Sequence, residues 1–145
     1  MSDRKFFRSE IKRVADFCKN PSPEQGKIVA DLVAYLCIRL YGYFETFVEG
    51  VVYPDQMPLR HSNFRPKELK TYMGNRCPQW QCALETEFRN NGEMEELLKA
   101  LVIERNNIAH GKGTYLTLQE LKVHVKNICA LERLISNIIK EHPSE

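Results

Sequence analysis

No run in this sequence approaches the ~20 consecutive apolar residues that a membrane span requires, so no membrane partner is expected. The opening residues, Met1-Ser2-Asp3-Arg4-Lys5, lead into an amphipathic segment without an apolar signal core, and a cytoplasmic protein is expected. Val, Ile and Tyr occur throughout but nowhere alternate with polar residues for long enough to argue a strand. Cysteine supplies no disulfide framework: Cys18, Cys37, Cys77, Cys82 and Cys129 are odd in number and scattered, as reduced thiols are. Cys77 and Cys82, with His61 upstream, lack a convincing fourth zinc ligand, so neither metal nor cofactor is expected. No serine, cysteine or carboxylate pair stands in a nucleophile–base context. Gly111-Lys112-Gly113-Thr114 is not a phosphate loop, which needs its lysine followed by Ser or Thr and a strand before it.

What is present is ordinary for a globular chain: 43% hydrophobic and 28% charged residues. At 145 residues a single domain spanning 1–145 is expected, burying about 68–70% of its unfolded surface. The net charge of +2 is too small to announce nucleic acid by itself, but it is segregated along the chain. Residues 60–76 carry Arg60, Arg65, Lys67, Lys70 and Arg76 against Glu68 alone, and residues 85–104 carry six glutamates against Arg89 and Lys99. The basic half of this middle region is a face that could attract phosphate.

Apolar periodicity and capping signals divide the chain into helices. Residues 3 to about 19 bury Phe6, Ile11, Val14 and Phe17 and turn a basic face of Arg4, Lys5, Arg8, Lys12 and Arg13 outward, read as solvated. After the Asn20-Pro21 break, Ser22-Pro23-Glu24-Gln25 offers a cap, a proline at the first helical position and a capping box. The helix that follows runs to about residue 52, with Val29, Val33, Leu36, Leu40, Tyr43 or Phe44, Phe47 and Val51 as its core stripe. Residues 54 to about 66 read as a connector. A short helix over 67–73, ended by Gly74, and another over 79–88 with Trp80 and Leu84 inward come next. Asn91 or Gly92 caps the following helix, and Thr117-Leu118-Gln119-Glu120 is a capping box for a last helix to about residue 141. Its inward residues are Leu118, Leu121, Val125, Ile128, Leu131, Ile135 and Ile138. The fold class is therefore all-α, an up-and-down bundle of four to five helices.

The chemistry concentrates where the fifth of these segments runs out, at Glu104-Arg105-Asn106-Asn107-Ile108-Ala109-His110-Gly111. Leu97, Leu98, Leu101 and Val102 recur at helical steps, and Arg105, four residues after Leu101, continues the inward stripe. A guanidinium there is costly unless an anion or acceptor meets it. Gly111 suits the position just past a helix end, which puts His110 in the last turn or at the cap. Arginine holds a phosphate through a planar fork at all working pH, and histidine exchanges a proton near neutrality. Those groups suffice for a ribose 2′-hydroxyl to attack its neighbouring phosphodiester without a metal, because the nucleophile belongs to the substrate. Two proton transfers are required and one chain offers one well-placed histidine, so a two-fold dimer that doubles Arg105 and His110 in one cleft is expected.

Arg105, four intervening residues and His110, with Asn106 directly after the arginine, resemble the R-x(4-6)-H signature of HEPN domains, and the Arg-Asn-Asn-Ile-Ala-His-Gly wording is similar to the RiboL-PSP-HEPN branch. The sequence departs from the R-x4-H-x-Y subtype: Lys112 stands second after His110 and the nearest tyrosine is Tyr115. The resemblance implies an all-helical, metal-independent endoribonuclease acting as a homodimer on RNA, a toxin or antiviral-defence effector with an antitoxin or regulatory protein as partner. It implies catalytic roles for Arg105, His110 and Asn106, with Asn106 binding phosphate or orienting His110. Lys112 and Asn107 are candidate substrate contacts, and an acidic residue on the long second helix, Glu45, is implied to lie near the pair. The alternative is a non-catalytic helical module that binds RNA or a protein through the same groove.

Overall fold

Proline and short-range caps set the helix boundaries. The structure, a computed structural model, describes residues 2–17, 23–56, 63–113 and 116–144. Among these it contains six helices and no strand: α1 (Ser2–Phe17), α2 (Pro23–Val52), α3 (Pro66–Arg76), α4 (Pro78–Asn90), α5 (Gly92–Ala109) and α6 (Leu118–Glu141). Three of them start at a proline, whose fixed φ and missing N–H suit the first turn. The expected cap at Ser22, the zinc candidate His61 and the end of the first helix beyond residue 17 lie outside the described residues. None of the helices is long and apolar enough to cross a membrane.

The helix count exceeds the four to five expected, because the middle region forms two full helices. Gly74 was expected to end the first of them, but α3 runs through it to Arg76. Gly74 serves a close approach instead: a Cβ there would collide with the Gln81 side chain of α4. The break falls at Cys77, extended at φ −151° and ψ 110°, because Pro78 disfavours a helical residue before it.

Helix α2 is the centre, packing on α1, α5 and α6. Its buried residues are Val33, Leu36, Cys37, Leu40, Tyr41, Phe44, Val48 and Val52, with Phe47 and Val51 only half-buried. The stripe drifts off a strict heptad because neighbours on several sides widen the face that an unsupercoiled helix buries. On α1, Phe7, Ile11 and Val14 are buried, while Phe6 stays half-buried with the Arg39 guanidinium 4.2 Å from its ring centre. Trp80 and Leu84 point inward as expected, and the Trp80 indole donates to the His142 carbonyl at 2.6 Å. Asn91 caps α5 by accepting from the Met94 amide, and Thr117 and Glu120 form both halves of the capping box on α6.

Candidate functional site

Helix α5 carries the Arg105–His110 segment against α2. Leu98, Leu101 and Val102 are buried and fix its rotation, which leaves Arg105 half-buried on the flank. The acceptor that a guanidinium on this stripe needs comes from two neighbours. Its Cζ lies 5.2 Å from the centre of the Tyr41 ring, and its Nη1 donates to Asn106 Oδ1 at 3.1 Å. No described carboxylate lies within ion-pair distance of Arg105, so its remaining donors are uncommitted.

Tyr41 is the residue that sequence reasoning missed. It is buried, yet its hydroxyl also accepts the Phe64 amide at 2.8 Å. Burial holds that hydroxyl above its ordinary pKa, opposed by the Phe64 amide and the Arg105 charge and reinforced by the nearby Glu45 carboxylate. Glu45, one helical turn beyond Tyr41, is thereby brought to the same cluster. The sequence offers one signal for this platform: Tyr41 follows Leu40 and precedes Phe44 on the most apolar face of α2.

Asn106 is half-buried, and its side-chain oxygen is held by Arg105. It orients the guanidinium; toward His110 it contributes only its backbone carbonyl, which accepts the His110 amide at 3.0 Å. Its two amide donors remain available to a ligand.

His110 sits at the cap of α5, with an exposed imidazole that makes no hydrogen bond or ion pair to a described residue. The turn after it is fully specified by the backbone. Gly111 has φ +72°, its amide bonds the Ile108 carbonyl at 3.1 Å, and the Lys112 amide bonds the Asn107 carbonyl at 2.9 Å. This is the Schellman arrangement, which requires a left-handed residue just past the cap. The Asn107 carbonyl is thus engaged in the turn, and Lys112 is exposed on it. Within one chain the structure gathers Glu45, Tyr41, Arg105 and Asn106, and leaves His110 and Lys112 apart at the helix end.

A second histidine is buried nearby. His124 of α6 is 5% exposed with Nδ1 unpartnered, and burial lowers its pKa against the pull of Glu120 and Glu104. It falls three residues after Leu121 and four before Ile128, a position the inward stripe could have flagged. The described cysteines are free thiols: Cys37 is buried, with its thiol pushed up to about 12 first by burial and then by the Glu104 charge, while Cys82 is exposed. The basic run at 60–76 is partly neutralised, since Lys70 meets Glu95 at 3.9 Å and Arg76 meets Asp55 at 3.7 Å. Comparison of this chain with protein-family models, with curated proteins and with solved structures finds no match in any of the three.

Proposed function

We propose that this chain is a single HEPN-like domain and a metal-independent endoribonuclease, cytoplasmic, that cleaves RNA by 2′-hydroxyl attack at a site shared between two copies. The observation that supports it best is the half-buried Arg105, seated on Tyr41, steered by Asn106 and uncommitted to any described carboxylate. A buried or half-buried guanidinium left in that state is matched to an anion from outside, and the planar fork suits a phosphodiester.

The spacing also speaks for two copies. Five residues along a helix separate Arg105 and His110 by about 7.5 Å of rise and about 140° of rotation. One chain therefore presents its fork and its imidazole in different directions. A second copy that lays its own pair across the cleft supplies both proton carriers to one phosphate. The 2′-oxygen bonds to phosphorus as one His110 takes its proton, the 5′-oxygen leaves with a proton from the other, and a 2′,3′-cyclic phosphate remains. The guanidinium meets the charge developing on the non-bridging oxygens. Glu45, Asn107 and Lys112 are proposed substrate contacts, and the up-and-down arrangement around α2 is the proposed scaffold. A toxin or defence role, restrained by an antitoxin or regulatory protein, fits an enzyme of this kind.

The test is incubation of the purified protein with mixed RNAs in EDTA. The expected result is fragments with 2′,3′-cyclic phosphate ends, lost in both Arg105→Ala and His110→Ala. Binding of RNA without cleavage by the intact protein would replace the enzyme with an RNA-binding module.

A further inference from the structure

We infer that the groove between α1 and α6 is the track for the phosphate backbone of single-stranded RNA. The groove encloses about 640 Å³. Arg8 and Lys12 of α1 form one wall, and Lys122, Lys126 and Arg133 of α6 the other. Among the described residues, no carboxylate lines it. Glu10 is turned to Arg13 at 3.7 Å, and no described carboxylate forms an ion pair with any of the five cations.

The pattern is repeated with helical regularity. On α6 the lining recurs at 119, 122, 126, 129 and 133, a straight stripe about 21 Å long at 1.5 Å per residue. At about 3.4 Å per stacked nucleotide that length faces about six phosphates. Five cations without an ion-pair partner among the described residues, set in a concave trough, repel one another and raise the local potential, a state that a polyanion relieves. The basic face of α1, which sequence alone reads as solvated, thus has a partner wall on α6.

An anionic membrane surface is the competing polyanion, and the shape disfavours it. Ile11 and Val125 lie buried, and Val123, 37% exposed, is a single small apolar group among five cations, too little apolar surface to insert into a bilayer. A flexible strand can enter a trough that a flat bilayer cannot. RNA is named as that strand because of the ribonuclease reading above, on which the choice rests. The geometry is favourable to it: the groove reaches Gln119 in the first turn of α6, the helix that follows the His110 end of α5 in the chain.

Binding is measured by fluorescence anisotropy of a labelled oligouridine on full-length His110→Ala protein, which keeps RNA intact whether or not the parent is a nuclease. Lys122→Glu/Lys126→Glu is compared with Lys99→Glu, an exposed α5 lysine outside the groove. The double variant is expected to weaken binding about tenfold or more at low salt, and to flatten the slope of log affinity against log salt by about 1.4, at about 0.7 per phosphate contact. Lys99→Glu should leave both unchanged. Arg8→Glu, on the opposite wall, must weaken binding in the same direction, which guards against a local effect on α6. Unchanged affinity and slope in the folded double variant overturns the proposal. So does failure to bind oligouridine alongside binding to phosphatidylserine vesicles. Groove-dependent binding together with an absence of cleavage by the parent leaves the track standing and removes only the nuclease.

Discussion

The Arg105 guanidinium lies over the ring of Tyr41, 5.2 Å from its centre, and the same tyrosine's hydroxyl ties down the Phe64 amide at 2.8 Å. One side chain thus seats the arginine and anchors the segment entering α3. The two roles separate by mutation. Tyr41→Phe keeps the ring and removes the hydroxyl that accepts the buried Phe64 amide, at a cost of about 1–3 kcal/mol. Its melting temperature should fall by about 3–8 °C, while RNA cleavage at a permissive temperature stays near that of the parent. Arg105→Lys should do the opposite. It keeps the charge but loses the fork, so kcat/KM should fall roughly 10- to 100-fold at the ~1.4 kcal/mol per tenfold scale, with little change in melting temperature. A thermal-shift series beside a cleavage assay checks both, and a Tyr41→Phe protein as stable as the parent would remove the anchoring role.

Gly111 is held at φ +72° with open space where a Cβ would sit, so substitution there is a pure test of backbone conformation. A left-handed L-residue costs about 1–2 kcal/mol, and asparagine tolerates it better than alanine. The expected order of melting temperature is Gly111, then Gly111→Asn, then Gly111→Ala, then Gly111→Val. Cleavage should fall in step, because the same turn sets the His110 and Lys112 backbones. An alanine variant equal to the parent would mean that the turn does not hold this conformation in solution.

How much of this was readable from the chain depends on the range of the interaction. The Asn91 cap, the Thr117–Glu120 box and the Gly111 stop are each decided within about four residues, and each stands where the sequence puts it. Gly74 was misread because its reason is tertiary: a glycine that admits Gln81 looks the same in sequence as one that ends a helix. Tyr41 under Arg105 needs α2 beside α5, and the cationic groove needs α1 beside α6, which no local pattern encodes. The charge run at 60–76 drew attention for its density in sequence, yet Lys70 and Arg76 meet carboxylates from Glu95 and Asp55, elsewhere in the chain.

His124 should make stability depend on pH. Burial lowers its pKa in the folded chain below the ordinary value near 6.5, so the unfolded chain binds the proton more readily. Stability is then fully present above about 6.5 and is lost as pH falls toward the folded value, because protonation favours unfolding. Glu104 and Glu120 oppose the effect but do not reverse it. The melting temperature should drop between about pH 7 and pH 5, and His124→Leu should flatten that drop while leaving the carboxylate transitions at lower pH. Parallel curves for parent and variant would show that His124 is not carried neutral in the core.

The shared site requires a face on which two copies meet, and α2 and α5 offer one. Ile28, Tyr35 and Ile38 are 49%, 52% and 38% exposed at spacings that keep them on one side of α2, and Ile103 of α5 is 44% exposed. Helices α2 and α5 pack on each other, and the charge of Glu104, next to Ile103 and Arg105 on α5, reaches Cys37, next to Ile38 on α2. Exposed apolar side chains on the helix that carries the proposed chemistry and on its neighbour are what a two-fold contact buries. Light scattering on the parent should give twice 16.9 kDa, and Ile38→Asp/Ile103→Asp should give 16.9 kDa with unchanged helical content. Since both substitutions stand on exposed positions, loss of cleavage in the folded monomer would follow from losing the second His110. A monomeric variant that still cleaves at the parental rate would show that one chain carries the whole reaction.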